Sequence, residues 1–338
     1  MSFTNLSVPQ RQRRARPARG HSRVCAVLIA VGALACGAAP PGTSGEPPGT
    51  GTAPAAEAGP PVSTSDVTVN GTSLHVQRAG QGPAVILLHG FPQDSTAYGR
   101  IAPRLARSFS VVVPDLRGIG SSAPASTGFD APNLAEDIRQ LAEQLGLERP
   151  FVVGHDIGGI VAYSLARAHP DAVRGVMLVD APVPGLDPWD ALKCELWHMG
   201  FFMTPRLPEQ LLTGRELDFV REFTRGALHR PEAIDEDAAA RYAAAYTGAE
   251  RLSAGLGYYR AFPLAEADNG AQRDATDLPL VLVGSDQGFA PQLPALSASL
   301  AAHGWKNVTE RVIEQAGHYV LDDQPDAVSA LIEELAGG

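Results

Sequence analysis

The stretch "VVGHDIGGIVAY", residues 152–163, joins two patterns at one point. β-forming residues lead into it, and a run with helix-like apolar spacing leads out. Between them stands Gly154-His155-Asp156-Ile157-Gly158. A glycine on each side of Asp156 lets a strand and a helix approach closely around a tight turn. The middle side chain is left exposed at its tip. An aspartate there either caps the helix that follows or is kept available for chemistry.

Working outward, "DVTVN" and "LHVQRAG" (66–80) alternate around Asn70-Gly71, a hairpin signal. "AVILLHG" (84–90) is a continuous apolar run, as a strand of a parallel sheet buried on both faces requires. Helix-like "TAYGRIAPRLAR" (96–107) precedes strand 110–115, then helix 132–145, strand 151–154, helix 157–168 and strand 175–180. This alternation predicts an α/β fold with a mostly parallel central sheet. It stops at residue 183, where about 75 helix-rich residues reach to about 262 and hold two of the three tryptophans. Strand and helix order resumes at 278–284, 309–314 and a last helix from about 324. The spacing predicts a helical lid, about 183–262, inserted after the sixth main strand and over the carboxyl ends of the strands, where open α/β sheets bind ligands.

Four motifs fall at strand ends: "HGFP" (89–92), "DLRGIGSS" (115–122), "GHDIGG" (154–159) and "AGHYVLDDQP" (316–325). In this order they resemble the α/β-hydrolase superfamily, and specifically its Asp-nucleophile branch of epoxide hydrolases and dehalogenases. The resemblance covers about residues 65–336 and implies an α/β-hydrolase fold. It makes Asp156 the nucleophile on a strained turn where serine is the usual occupant. The chemistry agrees. A serine attacking saturated carbon would leave an ether that water does not cleave, whereas a carboxylate leaves an ester that water hydrolyses. His318, after the last strand, is placed to be the general base for that water. Backbone N–H groups of Phe91 and Ile157 are placed to hold the oxyanion.

The third member of the triad is open between two residues. The family's usual acid position after the penultimate strand, in "VGSDQGFAP" (283–291), is occupied by Gln287, with Asp286 one residue early. Asp180 ends the strand after the turn, where some dehalogenases carry the acid, and is the favoured candidate. In the lid, "LWHMGFFMTPRLPE" (196–209) and "GYYRAF" (257–262) resemble the stretches that carry two tyrosines in epoxide hydrolases. Registered on Pro205 and Glu209, they put His198 in the first tyrosine's place and Tyr259 in the second's. Trp197 and Met199 flank His198 as candidate substrate-binding residues. Fluoroacetate dehalogenases follow their histidine with tryptophan, here Met199, and carry arginines where this chain has Ile157 and Ile160. That disfavours a haloacetate. Haloalkane dehalogenases carry a polar halide-binding residue at the Phe91 position and tryptophan at Ile157. The resemblance therefore implies a hydrolase working through an aspartyl ester, with an epoxide opened to a vicinal diol as first reading. A dehalogenase of a neutral substrate, another reaction on this scaffold, and a non-enzymatic binding protein are the alternatives.

The chain has 338 residues, 44% of them hydrophobic, enough for one large α/β domain. Six arginines between 11 and 23 precede the apolar run "VCAVLIAVGALA" (24–35). At 12 residues this run is shorter than the roughly 20 that a bilayer span needs. It reads as a signal peptide over 1–35. "ALAC" resembles a bacterial lipobox, which implies an exported chain with Cys36 as the lipidated first mature residue and the only membrane contact; plain secretion is the alternative. Pro/Gly-rich residues 37–63 are expected to be a disordered tether to the domain at 64–338. Without the six leader arginines, 27 − 6 = 21 basic residues face 37 acidic ones, a balance that argues against a nucleic-acid partner. Only Cys194 follows Cys36, so the mature chain has no pair of thiols for a structural disulfide outside the attachment site. The partner expected is a small apolar substrate. No metal cluster and no cofactor motif stands out.

Overall fold

The computed structural model describes residues 60–337. The leader, Cys36 and most of the tether lie outside the described residues. Eight strands form one sheet in the order β1-β2-β4-β3-β5-β6-β7-β8. They are β1 (Ser63–Val69), β2 (Thr72–Ala79), β3 (Ala84–Leu88), β4 (Ser110–Pro114), β5 (Phe151–His155), β6 (Gly175–Val179), β7 (Leu280–Ser285) and β8 (Val308–Ile313). The β1–β2 hairpin turns at Asn70-Gly71, and β2 lies antiparallel to β4; the remaining pairings are parallel. Every residue of β3, β5, β6 and β7 is buried, because helices cover both faces of the sheet. Continuous apolar runs are therefore the sequence form of these strands.

The 96–107 segment is not one helix. A 3₁₀ turn at Ser95–Tyr98 stops at Gly99, and α1 (Ala102–Leu105) starts afresh with Pro103 in its first turn, the place where proline's missing N–H costs nothing. The helices α2 (Ala131–Gln144) and α3 (Ile157–Ala168) cross between β4, β5 and β6, and α10 (Leu293–Ala302), α11 (Val320–Asp323) and α12 (Pro325–Ala336) complete the C-terminal part. Between β6 and β7 stand α4 (Trp189–Glu195), α5 (Trp197–Met203), α6 (Leu207–Leu212), α7 (Glu216–Arg225), α8 (Glu236–Ala244) and α9 (Ala249–Ala271). The helical insertion thus runs past residue 262, because α9 continues through Pro263.

The sheet order decides the site. β3 and β5 are neighbours, with Leu88 opposite Gly154, although 65 residues separate Phe91 from Asp156. The chain leaves β3 toward β4 and leaves β5 toward β6, so the carboxyl ends of β3 and β5 flank the switch in strand order, where α/β sheets open a crevice. The motif "HGFP" and Asp156 meet there.

Candidate active site

Asp156 sits at φ 51°, ψ −118°, a strained backbone for a non-glycine residue. Its neighbours make the turn possible. A Cβ on Gly154 would fall 2.1 Å from the Gly158 carbonyl oxygen, and one on Gly158 would fall 2.3 Å from that of Leu88. The helix α3 is therefore pressed against the ends of β3 and β5, and the Asp156 side chain is held at the turn's apex. As N-cap of α3 it makes no side-chain capping bond. Its Oδ1 instead accepts the Phe91 N–H at 2.9 Å. The Ile157 N–H opens α3, where no helical carbonyl can reach it.

His318 stands between two carboxylates. Its Nε2 lies 3.7 Å from Asp156 Oδ2 and its Nδ1 lies 3.6 Å from Asp180 Oδ2. Burial pulls the imidazole's pKa down, but the interaction with Asp180 and the charges of Asp156 and Asp180 outweigh it and leave the ring above the ordinary histidine value. Asp180 turns at the end of β6 with φ 44°, and its side chain is fully buried. It accepts both the backbone N–H and the hydroxyl of Ser285 at 2.6 Å. These bonds aim one of its oxygens at the His318 ring. Asp286 is turned elsewhere: its carboxylate accepts the Ala316 N–H at 3.0 Å. That bond, with others from Gln315 and Gln287, holds its pKa below the usual carboxylate value. Asp286 ties down the loop before His318, while Asp180 faces the ring.

The lid supplies an aromatic wall. Tyr259 of α9 is buried, with its ring 5.4 Å from that of Phe91, 4.8 Å from that of Phe202 and 6.0 Å from the His198 ring. The His198 ring also lies 5.1 Å from Phe223 and 5.5 Å from Phe202. Burial lowers the His198 pKa to about 4, against the pull of the Asp156 charge, so the ring is neutral at pH 7. Burial and the Asp156 charge hold the Tyr259 phenol well above its ordinary value. Met199 is buried in the core, whereas Trp197 is 66% exposed. Trp197 lies with its ring beside His198, Phe201, Phe202 and Phe223, on the outer rim of this wall. The helix α5 turns Met199 inward and leaves Trp197 toward solvent.

Two apolar cavities adjoin Ile157. Both are small; one is lined by residues that include Phe91, Leu116, Ile119 and Tyr246, the other by Phe129, Leu134, Ile160 and Phe262 among others. Neither lining contains a lysine or an arginine. Among the described residues, no group of three or more His, Cys, Asp or Glu side chains is disposed to hold a metal ion. No helix of the described residues is long and apolar enough to cross a membrane.

Three buried residues escaped the sequence reading: Gln93, His155 and Asp322, hydrogen-bonded to one another behind His318. His155 and Asp322 lie within the quoted motifs, but neither has a spacing that marks it.

Residues 83–325 match the family described as alpha/beta hydrolase fold. The chain is 29% identical over 273 residues to the soluble epoxide hydrolase of Corynebacterium sp. (strain C12), covering 77% of this chain and 92% of that protein. A fluoroacetate dehalogenase of Burkholderia sp. is 41% identical over 124 residues, 35% of this chain and 39% of its own length. Among solved structures, that of the epoxide hydrolase CorEH without ligand superposes with a TM-score of 0.74 at 26% identity, over 82% of this chain and 99% of that one.

Proposed function

The chain belongs to the α/β-hydrolase family and is a hydrolase; from that premise we propose that it opens an epoxide to a vicinal diol through an ester on Asp156. The observation that carries the reading is the Asp156 carboxylate itself. One oxygen is held by the Phe91 N–H, the other lies 3.7 Å from His318 Nε2, and the two apolar pockets that adjoin Ile157 have no lysine or arginine in their linings.

The held oxygen, Oδ1, becomes the ester carbonyl, and Oδ2 is free to attack a ring carbon of the substrate. The carbon–oxygen bond breaks, its electron pair stays on the epoxide oxygen, and a proton from Tyr259 makes the alcohol. A neutral His198 donates a hydrogen bond to the same oxygen; neutral imidazole is a weaker acid than phenol, so the proton itself comes from Tyr259. Water then attacks the ester carbonyl carbon while His318 takes its proton. The Phe91 and Ile157 N–H groups hold the charge on Oδ1. Collapse breaks the ester bond, and His318 returns its proton to the departing diol oxygen. The regenerated Asp156 ionises, and its proton restores Tyr259. Asp180 keeps the His318 ring oriented and stabilises the imidazolium between these steps.

An apolar lining without lysine or arginine favours a neutral substrate over a haloacetate. The deciding experiment is a panel of apolar epoxides and neutral haloalkanes with diol and halide both quantified. Diol from the epoxides, with no halide from the haloalkanes, is the expected result; halide release as the dominant activity overturns the epoxide reading.

The acid is tested separately. Asp180→Asn should cut kcat by about 10³- to 10⁴-fold, the scale seen when a triad histidine loses its carboxylate. Asp286→Asn should cost far less, because the Ala316 N–H it serves can still meet an amide oxygen. The pH profile carries the same information. His318 must be neutral to act as base, and its pKa lies above the ordinary value because of Asp180 and Asp156. Activity therefore falls as pH drops through that raised value, and in Asp180→Asn this acidic limb moves to lower pH. An unmoved limb, or a larger loss in Asp286→Asn, would transfer the role to Asp286.

A further inference from the structure

His155, immediately before the nucleophile, is fully buried, and both of its ring nitrogens face oxygen. Nδ1 lies 3.0 Å from Gln93 Oε1, and Nε2 lies 2.8 Å from the backbone carbonyl oxygen of His318. Gln93, also buried, donates from Nε2 to Asp322 Oδ2 at 2.8 Å, and the Tyr242 hydroxyl donates to Asp322 Oδ1 at 3.0 Å. A peptide carbonyl can only accept, so His155 Nε2 must carry a hydrogen. With Gln93 in the orientation observed, Nδ1 must carry one too, and the ring is a buried imidazolium facing an ionised Asp322. Turning the Gln93 amide over exchanges its oxygen and nitrogen in place. Its NH₂ then donates to a bare Nδ1, and its oxygen meets Asp322 Oδ2, which must carry the hydrogen. Either arrangement holds one proton more than a neutral histidine with a carboxylate. Without that proton, two acceptors face each other in a buried contact.

The surroundings choose between the two. His155 packs against the His318 ring at 5.0 Å and the Tyr319 ring at 6.2 Å. Burial, and then the nearby charges of His318 and His89, push its pKa well below the ordinary value despite the bond to the His318 carbonyl. At the other end, burial raises the Asp322 carboxyl to about 7, with Asp323 adding to it and with Tyr242, Arg100 and Gln93 opposing it. The Arg230 guanidinium meets the Asp322 and Asp323 carbonyls, and Asp94 acts on the Tyr242 phenol. Turning Gln93 over replaces a donor to Asp322 with an acceptor, which favours the protonated acid further. The neutral arrangement also leaves no charge buried along the chain of bonds.

We propose that Asp322, Gln93 and His155 are positioning residues sharing one proton: protonated Asp322 donates to Gln93, Gln93 donates to His155, and the single N–H of His155 holds the His318 carbonyl. The network touches no substrate. It keeps the His318 backbone, and so its ring, between Asp156 and Asp180. When Asp322 loses the proton at alkaline pH, the chain of donors fails and the anchor on His318 loosens. The kinetic part of this proposal rests on His318 being the base; the protonation of His155 does not.

Asp322→Asn supplies a permanent N–H where the acid O–H stands, while its carbonyl still accepts from Tyr242. Asp322→Ala supplies nothing. In the full-length protein with ¹⁵N-labelled histidine, His155 should show one protonated and one bare ring nitrogen at neutral pH. Asp322→Asn should keep kcat within about twofold and lose the alkaline limb of the profile. Asp322→Ala should lose about tenfold to a hundredfold in kcat, the cost of leaving a buried polar group unpaired, with KM little changed. If Asp322→Ala does not fold, Gln93→Met breaks the same chain of bonds at its centre and should show the same loss. A doubly protonated His155 overturns the proposal, and so does an Asp322→Asn as impaired as the alanine variant. A protein that turns over no epoxide would instead sink the functional reading, and the ring nitrogens of His155 would still decide the network.

Discussion

His318→Gln should stop the reaction halfway. Asp156 keeps its carboxylate, its Phe91 N–H partner and its access to the lid, so the first displacement proceeds. The water that must open the ester has lost its base, 3.7 Å from the same carboxylate. An ester should accumulate on the peptide that contains Asp156, with a mass increase equal to the whole epoxide. A haloalkane would instead add the substrate minus hydrogen halide, so one measurement distinguishes the two bonds broken. Steady-state turnover should fall by on the order of 10⁴-fold or more, the scale expected when one member of a cooperating set is removed. An unmodified Asp156 peptide after incubation with a substrate that the wild type consumes would rule out the covalent route.

Removing the nucleophile should cost as much and leave no adduct. Asp156→Asn presents a neutral amide at the same apex, with the same glycines around it, and an amide is a poor nucleophile toward saturated carbon. Turnover should fall at least about 10⁴-fold, and the mass of the 156-containing peptide should not change at early times. Wild-type enzyme in ¹⁸O-water gives the complementary result. Water attacks the ester at the enzyme's own carboxyl carbon, so label enters Asp156 over successive turnovers. Label found only in the diol after many cycles would mean that Asp156 activates water for direct attack.

Much of this molecule is legible before any coordinates. β3, β5, β6 and β7 are buried on both faces, and they appear in the chain as short unbroken apolar runs because nothing polar can be accommodated on either side. The turn at Asp156 is legible because its two glycines answer a local steric need: a Cβ at either would collide with backbone. The far end of the lid was less so. The helix α9 passes through Pro263, which in sequence suggests a stop, because its tertiary packing outweighs one missing hydrogen bond. The inward turn of Met199 and the outward turn of Trp197 likewise depend on which face of α5 meets α9.

The turn at Asp156 and the glycines beside it are what the sequence by itself determined, and the proposed ester to saturated carbon, cleaved by water, follows from having a carboxylate at that apex. Which carboxylate faces the His318 ring was decided only by tertiary structure. Asp180 and Asp286 both end strands, and β6 and β7 are neighbours in the sheet. The difference lies in where each side chain is turned: Asp180 is locked by Ser285 beneath the ring, and Asp286 is drawn away by the Ala316 N–H. The same holds for Gln93, His155 and Asp322, which lie 62 and 167 residues apart along the chain. Their single shared proton arises because burial excludes water from a row of contacts in which every donor must find an acceptor, and the order of strands in the sheet, which no local spacing encodes, sets that row.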